Sequence, residues 1–349
     1  MPKVGSDTSK FAGARERGAF WTLDRMSELG LEGAFFRSPF ELSATLDAGE
    51  LREVVAHARH LGMYVQSGAA KVNPFASPEF PEIRAFGDGD YVLGLERIIR
   101  ALAAAGITEL WTATANYQFR IPGMYACDRF RTDVDWDVQL AATARVLGIL
   151  APTLRDAGAH LNLETHEEIT SFEVVRLVED AGPDAFGITF DSANVLVRAE
   201  DPVRAAERVA PYVRATHLRD VALCFTEDGI GRLLLPVGEG VLDWDRILPV
   251  LIAGNPDLAL SIEGLAGGTR AEMSLYIDDP VWQAAHPDLS VSELAEVVRL
   301  TRGYEARAAA GEAMSLRELR AHVSAAAAEQ FIVRSADALR QKIRELQPA

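Results

Sequence analysis

A chain of 349 residues with 48% hydrophobic content can bury a large core, as one big domain or two ordinary ones. Its formal charge of −16 repels phosphate backbones and anionic membranes, which argues against nucleic acid or a membrane surface as a partner. No apolar run reaches membrane-spanning length, the opening MPKVGSDTSK lacks a secretory h-region, and Cys127 and Cys224 are isolated. These features predict a soluble cytoplasmic protein with neither a disulfide framework nor a cysteine-type zinc site.

Short β-like runs alternate with helical patterns over most of the chain. A strand is predicted near PKVGSD, then a helix around FWTLDRMSELG, the run EGAFFRS and a helix in DAGELREVVAHARHLG. MYVQSG, the helix YVLGLERIIRALAAAG, the strand TELWTAT and the long helix WDVQLAATARVLGILAPTLRDAG come next. Strand and helix then take turns through HLNLE, SFEVVRLVEDAG, FGITFD, DPVRAAERVAPYV, VRATHL, WDRILPVLIAG, LALSIE and SVSELAEVVRLTRGYEARAAAG. Capping-box spacings mark helix entries, Thr170 with Glu173 and Ser290 with Glu293, and glycines mark several exits.

Eight such units predict an α/β protein, a (β/α)₈ TIM barrel rather than an open doubly wound sheet. No G-x-G-x-x-G follows the first strand, so a dinucleotide-binding domain has no support. The barrel is expected over residues 1–303. Residues 304–349 are expected to add a C-terminal helical extension packed on the barrel, with Ser315 and Glu318 capping its first helix.

Chemistry in such barrels gathers where strands end. Four consecutive late strands end in a residue able to hold a metal: HLNLE in Glu164, FGITFD in Asp191, VRATH in His217 and LALSIE in Glu263. The first two intervals match one β/α unit each, and the third leaves room for the long loop RDVALCFTEDGIGRLLLPVGEG. Any one of the four, taken alone, reads as an ordinary polar strand end. Four in succession on one rim point to a single divalent ion. Two glutamates, an aspartate and an imidazole form an oxygen-rich set suited to Mn²⁺ or Mg²⁺, with positions left for substrate oxygens.

His166 shares the side of Glu164 by the period of two and lies one step toward substrate. A neutral imidazole there suits removal of a proton beside a ketone; the alternative is a loop histidine. Arg219 and Asp220 follow His217 as candidate substrate-binding residues, Arg219 for a substrate oxygen and Asp220 to orient a water or ligand at the metal, or else they form a surface ion pair. Lys71 reads as a solvated lysine or a substrate hydrogen-bond donor ahead of a Schiff-base nucleophile, since a metal already supplies the electron sink. The loop NYQFRIPGMY offers Tyr117, Phe119 and Tyr125 as a platform for a flat aglycone or sugar face, or as plain loop packing. His57, His60 and His160 are expected to be structural or exposed.

The segments LNLETHEEI, GITFDSANVL, THLRD, PVGEG and LSIEG resemble the sugar phosphate isomerase/epimerase group of xylose-isomerase-like TIM barrels, over about residues 15–305. The resemblance implies that Glu164, Asp191, His217 and Glu263 hold one divalent metal. It reaches a branch made of the catalytic alpha subunits of C-glycoside deglycosidases, which implies His166 as the base and a small β-rich partner subunit.

Two activities are implied. One is a lyase that removes the proton alpha to a ketone and eliminates the aglycone of a 3-oxo-glycoside. The other is a sugar or sugar-phosphate isomerase/epimerase working through a metal-bound enediolate, with Glu164 and Glu263 moving the proton. Long loops after several strands favour the lyase, since a bulky substrate or a partner needs them, although GLAGGTR (264–270) could serve as a phosphate cradle. A non-catalytic carbohydrate-binding barrel is disfavoured by the intact ligand set. An apurinic-endonuclease-like role is disfavoured by the acidic charge and the scarcity of histidine.

Overall fold

The computed structural model describes residues 2–76, 81–115, 117–118 and 120–346. In chain order the first half runs β1 (Val4–Asp7), α1 (Ala14–Glu28), β2 (Gly33–Phe36), α2 (Ala48–His60), β3 (Tyr64–Gly68), α3 (Pro81–Phe86), α4 (Tyr91–Ala104), β4 (Glu109–Thr112) and α5 (Trp136–Ala157). Next come β5 (His160–Glu164), α6 (Ser171–Ala181), β6 (Phe186–Asp191), α7 (Asn194–Val197), α8 (Pro202–Val209) and β7 (Val213–His217). The remainder is β8 (Asp220–Thr226), β9 (Gly229–Leu235), α9 (Trp244–Gly254), β10 (Leu260–Ile262), β11 (Met273–Leu275), α10 (Pro280–Ala284), α11 (Val291–Ala309), α12 (Leu316–Leu319) and α13 (Ala325–Glu345).

Eight strands form one parallel sheet in the order β10-β1-β2-β3-β4-β5-β6-β7. A parallel bridge between Leu218 and Ile262 joins its two ends, with the Leu218 N–H donating to the Ser261 carbonyl at 2.8 Å. This is the (β/α)₈ barrel that the sequence predicts. Strand alternation sets its layers: Leu161 and Leu163 join the main core, while Asn162 takes the other side and donates to Glu109 at 2.9 Å. Tyr64 lies flat against Gly33, where a Cβ would meet its ring at 2.0 Å, and so its hydroxyl reaches Ser261 at 2.8 Å. No helix among the described residues is long and apolar enough to cross a membrane.

Two departures from the sequence reading shape the site's surroundings. The expected long loop after β7 is a hairpin, β8 paired antiparallel with β9, to which β11 adds a third strand. Its outer face is covered: Ala222, Cys224, Leu233 and Leu235 pack with Tyr304 of α11 and Leu319 of α12. The second departure concerns the last helices. The helix that packs on β1, β10 and α9 is α13, tied to α1 by Arg25 and Glu329 at 2.7 Å. It stands where an eighth barrel helix belongs, a place expected for the segment that forms α11. The apolar stripes explain the exchange. α13 buries Phe331, Ile332, Ala336, Leu339 and Ile343, whereas α11 buries only Val297, Thr301 and Tyr304 besides Glu293. α11 lies on the hairpin instead, its start held to α8 by Arg208 and Glu293 at 2.6 Å.

Candidate active site

Three barrel strands and the residue after a fourth bring Glu164, Asp191, His217 and Glu263 together. One ligand atom from each lies within 4.8 Å of the others, and all four side chains are buried. Register does part of this: Asp191 stands directly opposite His217 across β6 and β7. Local contacts do the rest. Trp111 of β4 donates its indole N–H to Glu164 Oε2 at 2.8 Å, and His217 Nδ1 meets Glu164 Oε1 at 3.0 Å. Phe35 packs its ring edge on the His217 imidazole, with centroids 4.7 Å apart. Asp191 Oδ1 accepts the N–H groups of Ala193 and Asn194 at the start of α7, which fixes the carboxylate plane.

Three cations surround these carboxylates. Arg219 Nη2 lies 2.5 Å from Asp191 Oδ2 and 2.9 Å from Glu263 Oε2. Lys10 Nζ reaches Glu263 Oε1 at 3.2 Å and Arg37 reaches it at 3.5 Å. Burial opposes ionisation of Glu263, but Arg219, Lys10 and Arg37 outweigh it and hold the carboxyl well below the usual range. Asp191 goes the other way: burial, with Glu164 and Glu263 close by, lifts it to about 6 in spite of Arg219. Three carboxylates and an imidazole with ligand atoms within 4.8 Å of one another, all buried, fit a divalent ion of the oxygen-preferring kind. Asp7, at the end of β1, adds a fully buried carboxylate 3.9 Å from Arg37.

His166 lies beside this cluster, and its Nδ1 is held by carboxylates. Glu168 Oε2 is 2.5 Å away and Glu167 Oε2 2.8 Å. Glu168 is itself fixed, accepting from Thr114 Oγ1 at 2.6 Å and the Ala115 N–H at 2.8 Å. Burial disfavours the imidazolium, yet Glu167 and Glu168 outweigh burial and raise His166 to about 10. The charged form is therefore the one these neighbours favour, where the sequence suggested a neutral imidazole. Glu164 falls below the usual range, because His217 and His166 together overcome its burial.

The remaining candidates divide. Lys71 is buried at the same site, its ammonium 5.3 Å from the Trp111 ring centroid, and burial lowers its pKa despite the Glu168 charge. Arg219 is in the cluster. Asp220 is not: both its oxygens face the loop before α9, accepting from the N–H groups of Val221, Gly238 and Leu242 and from the Trp244 indole at 2.8–3.1 Å. Gly240 lets the loop wrap that closely, since a Cβ there would lie 2.2 Å from Asp220 Oδ1. A carboxylate with four donors of its own holds a loop in place, so the expectation of substrate or metal contact is replaced by a structural one. Tyr117 is half-buried and bridges to Cys127. Tyr125 is exposed and lines a cavity of about 660 Å³ with Phe75, Ile121 and Phe130. Phe119 lies outside the described residues. His57 pairs with Asp24 at 2.6 Å and His160 with Glu109 at 3.0 Å, both away from the cluster.

Sequence reasoning missed Lys10, Arg37, Trp111 and Glu168. Each sits at or just beyond a strand end (β1, β2, β4, β5), and that position was the available signal.

An eight-stranded parallel barrel with carboxylates and an imidazole converging at the carboxyl ends of its strands defines a TIM barrel with a site fit for a divalent ion. The family description "Xylose isomerase-like TIM barrel" matches residues 23–279, and the chain belongs to that family. It is 27% identical over 118 residues to the uncharacterised protein YihM of Escherichia coli K12, covering 34% of this chain and 36% of that one. It is 28% identical over 104 residues to the 3-oxo-isoapionate decarboxylase of Pectobacterium atrosepticum, covering 29% of this chain and 38% of that one. The matched stretch thus spans less than two-fifths of either relative. The fold is also that of the 3-keto-D-glucoside 4-epimerase of E. coli, with a TM-score of 0.56 and 16% identity over 86% of this chain and 100% of that one.

Proposed function

We propose that this protein is a divalent-metal-dependent carbohydrate lyase that eliminates the aglycone of a 3-oxo-glycoside. The observation that carries the reading is His166 held at Nδ1 by Glu168, a base separate from the ligand set. An isomerase or epimerase using Glu164 and Glu263 as its two bases is the second reading. It is favoured by their joint presence in the cluster but opposed by their engagement, Glu164 with Trp111 and His217 and Glu263 with Lys10 and Arg219. A sequence relative named for decarboxylating a 3-oxo sugar acid supports carbon–carbon cleavage beside a ketone.

Glu164, Asp191, His217 and Glu263 would hold the ion, Mn²⁺ or Mg²⁺. When bound, the ion supplies Lewis-acid polarisation of a carbonyl and, by its charge, disfavours a proton on nearby His166. The chain's own residues do the rest. His166 Nε2 takes the C2 proton, with Glu168 orienting the ring through Nδ1. Lys71 and Arg219 oppose the negative charge that develops on the C3 oxygen. That charge returns to restore the ketone, the C2 electron pair forms the C1=C2 bond, and the aglycone carbon leaves with the C1 bonding pair and takes a proton from a nearby acid or water. The 660 Å³ cavity with Phe75, Ile121, Tyr125 and Phe130 suits a flat aglycone, or the small β-rich partner subunit that the reading brings with it.

The test is release of aglycone from 3-oxo-glucosides by Mn²⁺-loaded protein, alone and with a small β-rich partner encoded nearby. Release supports the lyase. Interconversion of free ketoses or their phosphates without release supports the second reading.

A further inference from the structure

Arg219 and Arg232 are two buried guanidinium groups that converge on one oxygen. Asn194 Oδ1 accepts from Arg219 Nη2 at 3.2 Å and from Arg232 Nη2 at 3.5 Å. They arrive from different elements, Arg219 from just beyond β7, Arg232 from the hairpin strand β9 and Asn194 from the first turn of α7. Arg232 is 1% exposed and Arg219 5% exposed.

Acceptors are short for this set. Arg219 has Asp191 and Glu263. Arg232 has the Ala271 carbonyl at 3.3 Å and Met273 Sδ at 3.1 Å, and forms no ion pair among the described residues. The Nε–H groups of both arginines and the Nδ2 amide of Asn194 are buried with no acceptor among the described residues. An arginine stays charged wherever it is placed, and a buried charge without a counter-charge is strongly unfavourable. The direct partners of Arg232 are a carbonyl, a thioether and an amide, and the carboxylates of Glu167, Asp191 and Glu263 act on its charge without forming an ion pair with it. Met273, which Arg232 touches, also walls a narrow cleft with Glu167, Tyr117 and Arg198.

We propose that Arg219, Arg232 and Asn194 form an oxyanion-binding subsite beside the ligand cluster, so that the substrate carries a carboxylate or a phosphate ester. That the bound molecule is the one transformed rests on the lyase reading; the subsite itself does not. The unmatched Nε–H of each guanidinium supplies a charge-assisted donor to the oxygens of either group, and the Asn194 amide supplies a further donor. A neutral sugar leaves these donors unmatched, and the subsite discriminates against it.

The test reads binding rather than turnover, so loss of the lyase reading leaves it intact. Mn²⁺-loaded protein is titrated calorimetrically with D-glucuronate, glucose 6-phosphate, inorganic phosphate and D-glucose. Expected is binding of an anionic probe at least about tenfold tighter than D-glucose. Preference for glucuronate identifies a carboxylate, and preference for glucose 6-phosphate a phosphate ester. Arg232→Met is expected to lose that preference while its unfolding temperature stays level or rises. Asn194→Asp supplies a counter-charge in place and is expected to raise the unfolding temperature and abolish anion binding. Equal affinity for D-glucose and the anions overturns the proposal. So does an Arg232→Met or Asn194→Asp protein that keeps wild-type anion affinity.

Discussion

The Glu168 carboxylate holds His166 by Nδ1 at 2.5 Å, and Thr114 and Ala115 hold Glu168 in turn. A base fixed this way depends on its anchor. His166→Gln is expected to lower kcat by about 10²–10⁴-fold with the metal content unchanged. Glu168→Gln, which keeps the shape but weakens the hold on the ring, is expected to cost roughly 10–10²-fold, mostly in kcat. Single-turnover kinetics with metal analysis on both variants provides the check; near-full turnover by His166→Gln moves the proton to Glu164 or Glu263.

Divalent-metal loading is expected to stabilise the fold. An ion that binds only the native state adds about 2.7 kcal/mol at a hundred times its Kd. Mn²⁺ should therefore raise the unfolding temperature and a chelator should lower it. Asp191→Asn and Glu263→Gln should remove the response. Calorimetric scans with and without Mn²⁺ measure it, and an unchanged midpoint in wild-type protein rules the site out.

Asp220→Ala is expected to destabilise strongly without touching the chemistry. It leaves four donors unsatisfied: the N–H of Val221 in β8, the N–H groups of Gly238 and Leu242 in the loop before α9, and the Trp244 indole at the start of α9. A single buried donor left unpaired costs roughly 1–3 kcal/mol, so a loss of about 3 kcal/mol or more is expected. Urea unfolding gives the stability, and kcat measured well below the transition should stay within about threefold of wild type.

His286 predicts a pH dependence on the acid side. Its ring stacks on Trp282 at 3.9 Å, Nδ1 donates to the Trp282 carbonyl at 2.6 Å, and Nε2 accepts from Arg198 at 3.1 Å. Burial, then Arg198 and Arg129, lower its pKa to about 2. The unfolded state takes up this proton below about 6.5 while the folded state refuses it until about 2. Stability from this group is therefore complete above about 6.5 and declines as pH falls, with a limiting slope of about 1.4 kcal/mol per pH unit. His286→Gln should flatten the profile between pH 6 and 4 relative to wild type, as read by urea unfolding at each pH.

The gathering of Glu164, Asp191, His217 and Glu263 was legible because parallel strands of one barrel end on one rim. Spacing along the chain therefore reported proximity for Glu164, Asp191 and His217, and for Glu263 beyond the hairpin. The eight strands themselves were legible for the same reason, as apolar runs repeating at the length of one β/α unit. The Thr170 and Ser315 capping boxes formed as spaced, while Glu293 gave its carboxylate to Arg208 instead of closing the box at Ser290.

Contacts that join distant parts of the chain were decided only in three dimensions. Lys10 meets Glu263 because β1 and β10 become neighbours when the barrel closes, which no local pattern encodes. Arg232 reaches Asn194 because the segment after β7 turns back as a hairpin and turns an arginine inward. Asp220 directly follows Arg219, yet one side chain enters the cluster and the other anchors a loop, because the chain passes from β7 to β8 between them. α13 took the place beside α1 because its apolar stripe is broader than that of α11. Residue spacing in the sequence determined which groups gather at the rim; closure, register and side-chain direction determined which of them touch, since those depend on partners outside the local stretch of chain.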